Sequence, residues 1–179
     1  GREMNGVVES PCFEGGEYSC MSCHEMHPDD PKPEVLASWR AGQMRTDHGN
    51  TNQDCLQCHE TIEQDIAAHT FHAPESVGSN CYDCHMPHTS YGRLRGVRSH
   101  QVSSPTSRES IETGRPNACN LCHLDETLEW TADHLKQWYG QEKPEFEDDD
   151  RNIAAAVNWL LKGDAGQRAV VTWNMGRPE

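Results

Sequence analysis

One five-residue frame, Cys-x-x-Cys-His, occurs four times in this chain of 179 residues. Its copies are Cys20-Met21-Ser22-Cys23-His24, Cys55-Leu56-Gln57-Cys58-His59, Cys81-Tyr82-Asp83-Cys84-His85 and Cys119-Asn120-Leu121-Cys122-His123. Eight of the nine cysteines are used in this way. The frame is that of covalent c-type haem attachment. Two thiols add to the vinyl groups on one edge of a porphyrin, and the adjoining histidine reaches the iron from one face. A structural zinc site needs four ligands in paired units, and it gives no reason for a histidine directly after every second cysteine. A disulfide framework suits an exported cysteine-rich chain, but two-residue gaps close loops too small to constrain much. The repeated frame therefore implies four covalently attached haems.

Four porphyrins change what the chain has to do in order to fold. Apolar residues make up 34% of it and the mean hydropathy is −0.87, thin for a core built from side chains alone. Flat apolar plates make up the difference, and a haem-free chain is expected to be largely unfolded by the linkage that ties metal sites to folding. Successive motifs begin 35, 26 and 38 residues apart. The intervals carry many breakers, among them Pro28, Pro31, Pro33, Gly42, Pro74, Pro87, Pro105, Gly114 and Pro116, which exclude long helices and strands. The expected fold class is mostly coil with short α-helices wrapped around the haems, little or no β-sheet, and a C-terminal α-helical hairpin. Short gaps also bring neighbouring porphyrins close, edge to edge or face to face.

The ends read differently. Residues 1–19 hold Gly6, Pro11, Gly15 and Gly16 without a helical period and read as extended coil. Cys12, the one cysteine outside a frame, is either an idle thiol or an intermolecular link. Beyond Cys119, Leu124, Leu128, Leu135 and Trp138 form a stripe at helical spacing that Gly140 ends. Residues 141–150 read as a solvated acidic linker. A helix capped by Asp149 or Asp150 is then expected through Ala154, Ala155, Val157, Trp159 and Leu161 to Gly163, and another from Asp164 through Trp173 to Gly176. The resulting organisation is a tetrahaem region at 1–140, a linker at 141–150 and a helical hairpin at 151–179.

His24, His59, His85 and His123 are the proximal iron ligands of the four frames. Seven histidines remain, enough for the four distal places, and their surplus favours two-histidine iron over methionine ligation. His69 and His72 lie three apart, on one side of a helical turn, and diverge enough to serve two irons. His27 follows His24 by three and would reach a neighbouring iron. His100 follows Arg93, Arg95 and Arg98, which suit haem propionates or simply form a solvated basic patch. His88 and His48 are reserves, His48 in a polar loop. His134, on the helix 127–139, reads as a surface residue.

Acidic residues number 29 against 15 basic ones, a formal charge of −14. That balance excludes nucleic acid as a partner, since binding it needs a cationic face. No run of 18 apolar residues exists to span a membrane. Haem c is attached outside the cytoplasmic membrane, so the chain is expected to be exported, to the periplasm or beyond the cell.

The stretches "GSNCYDCHMPHTSYG", "RSH" and "TGRPNACNLCHLDETLEWTADHLKQWYG" resemble a family of exported multihaem c-type cytochromes, in which a haem module is often followed by HEAT- or TPR-type helices. The resemblance runs from about Cys20 to Gly140. It implies distal roles for His69, His72 and His100, pairs His24 with His27 in a Cys-His-x-x-His element, and makes residues 150–176 the start of a helical repeat. Four two-histidine haems make a wire, so electron transfer is expected, with other redox proteins as partners. A wider group of tetrahaem cytochromes polymerises into extracellular conducting filaments, so copies of the chain itself are further expected partners. The alternative is a multihaem reductase of small nitrogen or sulfur compounds, which needs an iron with one open position. No catalytic residue is assigned.

Overall fold

The chain opens with helix, not with the extended coil expected over residues 1–19. In the computed structural model, which describes residues 2–16, 18–28, 30–45, 52–91 and 95–177, Arg2–Val8 form α1 and Pro11–Glu14 form α2. Pro11 stands in the first turn of α2, where a fixed φ and a missing N–H cost nothing. The Ser10 hydroxyl accepts from the Phe13 amide at 3.3 Å and donates to the Val7 carbonyl at 2.6 Å, which joins the two helices. Pro11, expected to break structure, here starts a helix.

Short helices follow: α3 (Cys20–Cys23), α4 (Pro33–Ala41), α5 (Gln53–Leu56), α6 (Glu60–Glu63), α7 (Ile66–Thr70) and α8 (Cys81–His85). A two-stranded antiparallel hairpin comes next, β1 (His88–Tyr91) with β2 (Arg95–Arg98), His88 lying opposite Arg98. The chain ends in α9 (Ser107–Thr113), α10 (Leu128–Tyr139), α11 (Asp148–Asn152), α12 (Ala155–Lys162) and α13 (Ala165–Met175), with 3-10 turns at Val77–Ser79 and Cys119–Leu121. Among the described residues, the longest helix before α10 has nine residues. The expected class, short helices in coil with a minimal sheet, is what forms.

The backbone divides into two units, residues 1–83 with 100–102, and residues 84–99 with 103–179. The first has almost no side-chain core; its buried apolar side chains, among the described residues, are Val7 and Leu56. Hydrogen bonds hold it instead. The Glu25 amide donates to the Gln43 carbonyl at 2.9 Å and the Arg45 amide to the Cys23 carbonyl at 2.8 Å. Trp39 Nε1 donates to the Glu25 carbonyl at 2.8 Å.

The second unit has a core of its own, formed by Leu121, Leu128, Ala132, Phe146, Ala155, Ala156, Trp159, Val170 and Val171. Helix α10 starts at Thr127, whose hydroxyl accepts from the Trp130 amide at 3.0 Å, and ends at Gly140 in the left-handed conformation that glycine adopts without strain. Two expectations are corrected here. Phe146 is buried, so the acidic stretch 141–150 is pinned to the core and not free in solvent. The single helix expected from Asp149 or Asp150 to Gly163 is two helices. The Ala155 amide donates to the Glu126 carbonyl at 2.9 Å and Ala154 bridges Thr127, so the backbone leaves its own helix at that point to pair with the start of α10. The last helix forms as expected, with Asp164 and Gln167 in a reciprocal cap. The hairpin α12–α13 packs on β1 and on the 3-10 turn of the fourth Cys-x-x-Cys-His frame.

Candidate functional site

Each frame lies on a helical turn, which places its two cysteines and its histidine within a few ångströms of backbone. In the first frame, Ser19 and Ser22 cap α3 reciprocally. In the fourth, the intervening Asn120 and Leu121 are buried, at 0% and 5% exposure. Asn120 Nδ2 donates to the Glu126 carbonyl at 3.1 Å and to the Thr127 carbonyl at 3.3 Å. Thr131 Oγ1 donates to Asn120 Oδ1 at 2.7 Å. That knot ties the frame to α10.

Successive frames are neighbours in space. Gln57 Nε2, inside the second frame, donates to the carbonyl of Ser22, inside the first, at 3.0 Å. Cys55 of the second shares a hydrogen bond with Cys81 of the third. Asn52 links the approaches to both, accepting from the Cys81 amide at 3.0 Å and donating to the Ser79 carbonyl at 2.8 Å. In the second unit, Cys84 of the third frame and Cys119 of the fourth lie close enough for the charge of one to raise the pKa of the other.

Three of the frame thiols, Cys23, Cys55 and Cys119, are shifted towards the neutral form. Burial pushes Cys119 up to about 12, and burial, followed by the nearby Asp54 carboxylate, pushes Cys23 up to about 11. Cys55 is raised chiefly by its hydrogen bond with Cys81 and next by burial. A protonated thiol is the form whose S–H adds across a vinyl group. Cys12, on α2, is raised by burial and lies near Cys55 and Cys58.

Several imidazoles are set for metal ligation through Nε2. His24 Nδ1 is 3.2 Å from the Gln43 carbonyl and His85 Nδ1 is 3.2 Å from the Ser103 carbonyl. His72 Nδ1 is 2.7 Å from the Thr70 carbonyl and His134 Nδ1 is 2.9 Å from the Trp130 carbonyl. A carbonyl on Nδ1 makes that nitrogen the donor and leaves the Nε2 lone pair for a metal. His24 and His100 go further: their ring centroids are 6.3 Å apart with planes inclined by 25°. The pair is stacked, and its separation is of the order that two metal–nitrogen bonds of about 2 Å would span. Paired thiols beside an Nε2-presenting histidine, with a second histidine at that separation, are a donor set that fits haem c.

The other predicted ligands are placed as follows. His69 is half-buried on α7 and His72 lies beyond its end, after Phe71 has turned the chain through the left-handed region at φ 57°. The two therefore do not share a helical turn, contrary to expectation, because the helix stops between them. His27 and His59 are exposed. His88 meets Trp173 of α13 edge-on, with ring centroids 4.4 Å apart. Arg98 Nη1 donates to the Met86 carbonyl at 3.3 Å. His48 and Arg93 lie outside the described residues.

His134, expected at the surface, is half-buried between Trp130 at 4.1 Å and Trp138 at 4.8 Å, and Trp130 lies 5.1 Å from His123. The signal was available in the spacing: residues 130, 134 and 138 fall on one face of a helix. Among the described residues, no helix is long and apolar enough to cross a membrane.

A family model, cytochrome c552, matches residues 65–168. No curated protein and no solved structure matches the chain.

Proposed function

The chain belongs to the cytochrome c552 family, and from that premise we propose that it transfers electrons through four covalently attached haems, in the order of its four frames. The family makes it a c-type cytochrome with covalent haem. The count of four rests on Cys20, Cys23, Cys55, Cys58, Cys81, Cys84, Cys119 and Cys122 as the attachment points, with His24, His59, His85 and His123 as proximal ligands. When bound, the haems supply one-electron iron chemistry. The residues of the chain hold them side by side and present imidazoles to them.

The observation that carries the reading is the approach of His100 to His24. His24 and His100 would hold an iron between them and leave it no place for a substrate, which suits electron transfer. His69 and His72 are the further distal candidates, with His27 after them and His88 and His48 in reserve. The approach of each frame to the next supports a relay along the chain. Other redox proteins are the partners of such a relay, in the periplasm or outside the cell. The same reading extends to a filament subunit, in which the relay of one copy continues into the next.

A reduced-minus-oxidised spectrum with carbon monoxide tests this. No carbon monoxide shift is expected, because every iron is six-coordinate. A shift in the unaltered protein would reveal an open iron and favour the reductase. Negative-stain images decide the assembly: threads mark a filament subunit, and isolated particles a soluble carrier.

A further inference from the structure

Two glycines of the first unit stand where any larger residue would collide with a distal histidine. Gly6 lies inside α1, where glycine is less favourable than alanine, and its backbone is not in the left-handed region that would call for glycine. A Cβ on Gly6 would lie 2.9 Å from the His100 carbonyl carbon, 3.0 Å from the Gln101 nitrogen and 3.2 Å from His100 Cβ. The first two are backbone atoms, which cannot swing aside. Helix α1 is itself fixed, since Val7 is 4% exposed and Ser10 fully buried. Gly78 repeats the arrangement in the 3-10 turn Val77–Ser79. A Cβ there would lie 2.6 Å from His72 Cγ and 3.0 Å from its Nε2. The His72 ring is held by Thr70 through Nδ1. Beside Gly78, the Ser79 hydroxyl is bound to the Ala73 carbonyl at 2.9 Å.

We propose that Gly6 and Gly78 are positioning residues that seat the distal histidines His100 and His72 at bonding distance from their irons. The proposal rests on the two-histidine reading of the previous subsection. Metal–nitrogen bonds tolerate about 0.2 Å of error, and an added methyl at either glycine demands more than that from its neighbour. Absence of a side chain is thus the functional property of both residues, and neither glycine touches the iron.

The test uses the haem-loaded chain with Gly6→Ala, Gly78→Ala, His100→Ala and His72→Ala. Gly15→Ala is the control, because a Cβ there meets the Cys12 and Pro11 carbonyls at an ordinary 3.5 Å. Readouts are carbon monoxide binding by the reduced protein, the high-spin signal of the oxidised protein in electron paramagnetic resonance, and its reversal by added imidazole. Gly6→Ala is expected to open one iron, as His100→Ala does, with imidazole restoring the low-spin signal. Gly78→Ala is expected to mirror His72→Ala, and Gly15→Ala to stay silent. If the histidine variants open an iron but the glycine variants stay low-spin and closed, the proposal is overturned and the ligand reading stands. If the histidine variants also stay closed, the ligand reading itself fails. A glycine variant that loses haem without an imidazole-reversible signal shows general destabilisation and overturns the positioning role.

Discussion

Replacing Asn120 by alanine should loosen the fourth frame from α10, and the hydrogen bonds around it set the size of the effect. The two carbonyls it serves keep other donors: Glu126 accepts from the Ala155 amide at 2.9 Å and Thr127 from the Thr131 amide at 3.3 Å. The hydroxyl of Thr131, at 0% exposure, is left to lose the acceptor at 2.7 Å. An orphaned buried donor costs about 1–3 kcal/mol, and each shared bond lost adds roughly 0.5–1 kcal/mol. A total near 3 kcal/mol is expected. In urea, with a slope of about 1–3 kcal/mol/M, that lowers the unfolding midpoint by roughly 1–3 M. Thr131→Val removes the other partner. Once the hydroxyl is gone, Asn120→Ala has nothing to orphan, so the double variant should fall short of the sum by about 1 kcal/mol or more. Far-UV circular dichroism of the haem-loaded protein follows the transitions. A loss under about 0.5 kcal/mol, the size of an ordinary surface change, or strictly additive variants, would refute the account of the knot.

Three further outcomes are expected. Val171→Ala, at a fully buried core position, should cost about 2 kcal/mol in the same urea assay. Gly114→Ala forces a Cβ onto a residue at φ 73° whose carbonyl accepts from Gln167 Nε2. It should cost about 1 kcal/mol or more and lower the melting temperature. The core of the second unit is made of side chains, so this unit, unlike the coreless first one, is expected to stay folded in haem-free chain, where burial raises Cys119 from 9.0 to about 12. The folded state therefore holds the proton more tightly, and stability that is complete below pH 9 is lost as the pH climbs towards 12. A thioether does not titrate, so thermal melts should show this component of alkaline loss without haem and lack it with haem.

The sequence shows the chemistry more fully than the packing. The four Cys-x-x-Cys-His frames and the covalent haem chemistry they imply were legible, because covalent attachment demands fixed residues at fixed spacing. The last helix was legible from Asp164 and the stripe that follows to Gly176. Residues 1–19 were not, because Pro11 at a helix start and Pro11 as a breaker look alike until Ser10 is seen capping the turn. The break at Ala154 was not legible either, since it comes from a backbone bond to Glu126, distant in sequence. Low hydropathy averaged over the whole chain concealed a division: the first unit does lack a core, while residues 121–171 contain one built from Leu, Ala, Val, Phe and Trp. Phe146 escaped notice among its acidic neighbours because burial of one ring leaves no periodic trace.

The burial of Asn120 and Leu121 sets a clock. The cysteines around them must be reached while the chain is still open, since attachment machinery needs both sulfurs and their backbone accessible. A core that closes over the 3-10 turn within milliseconds of its helices meeting would shut that access. Cys122 stays exposed, but burial raises the Cys119 thiol, so modification of the fourth frame is in kinetic competition with folding of the helices behind it. Conditions that slow closure of α10–α13 should favour complete loading, and those that hasten it should yield chains missing the haem of the fourth frame.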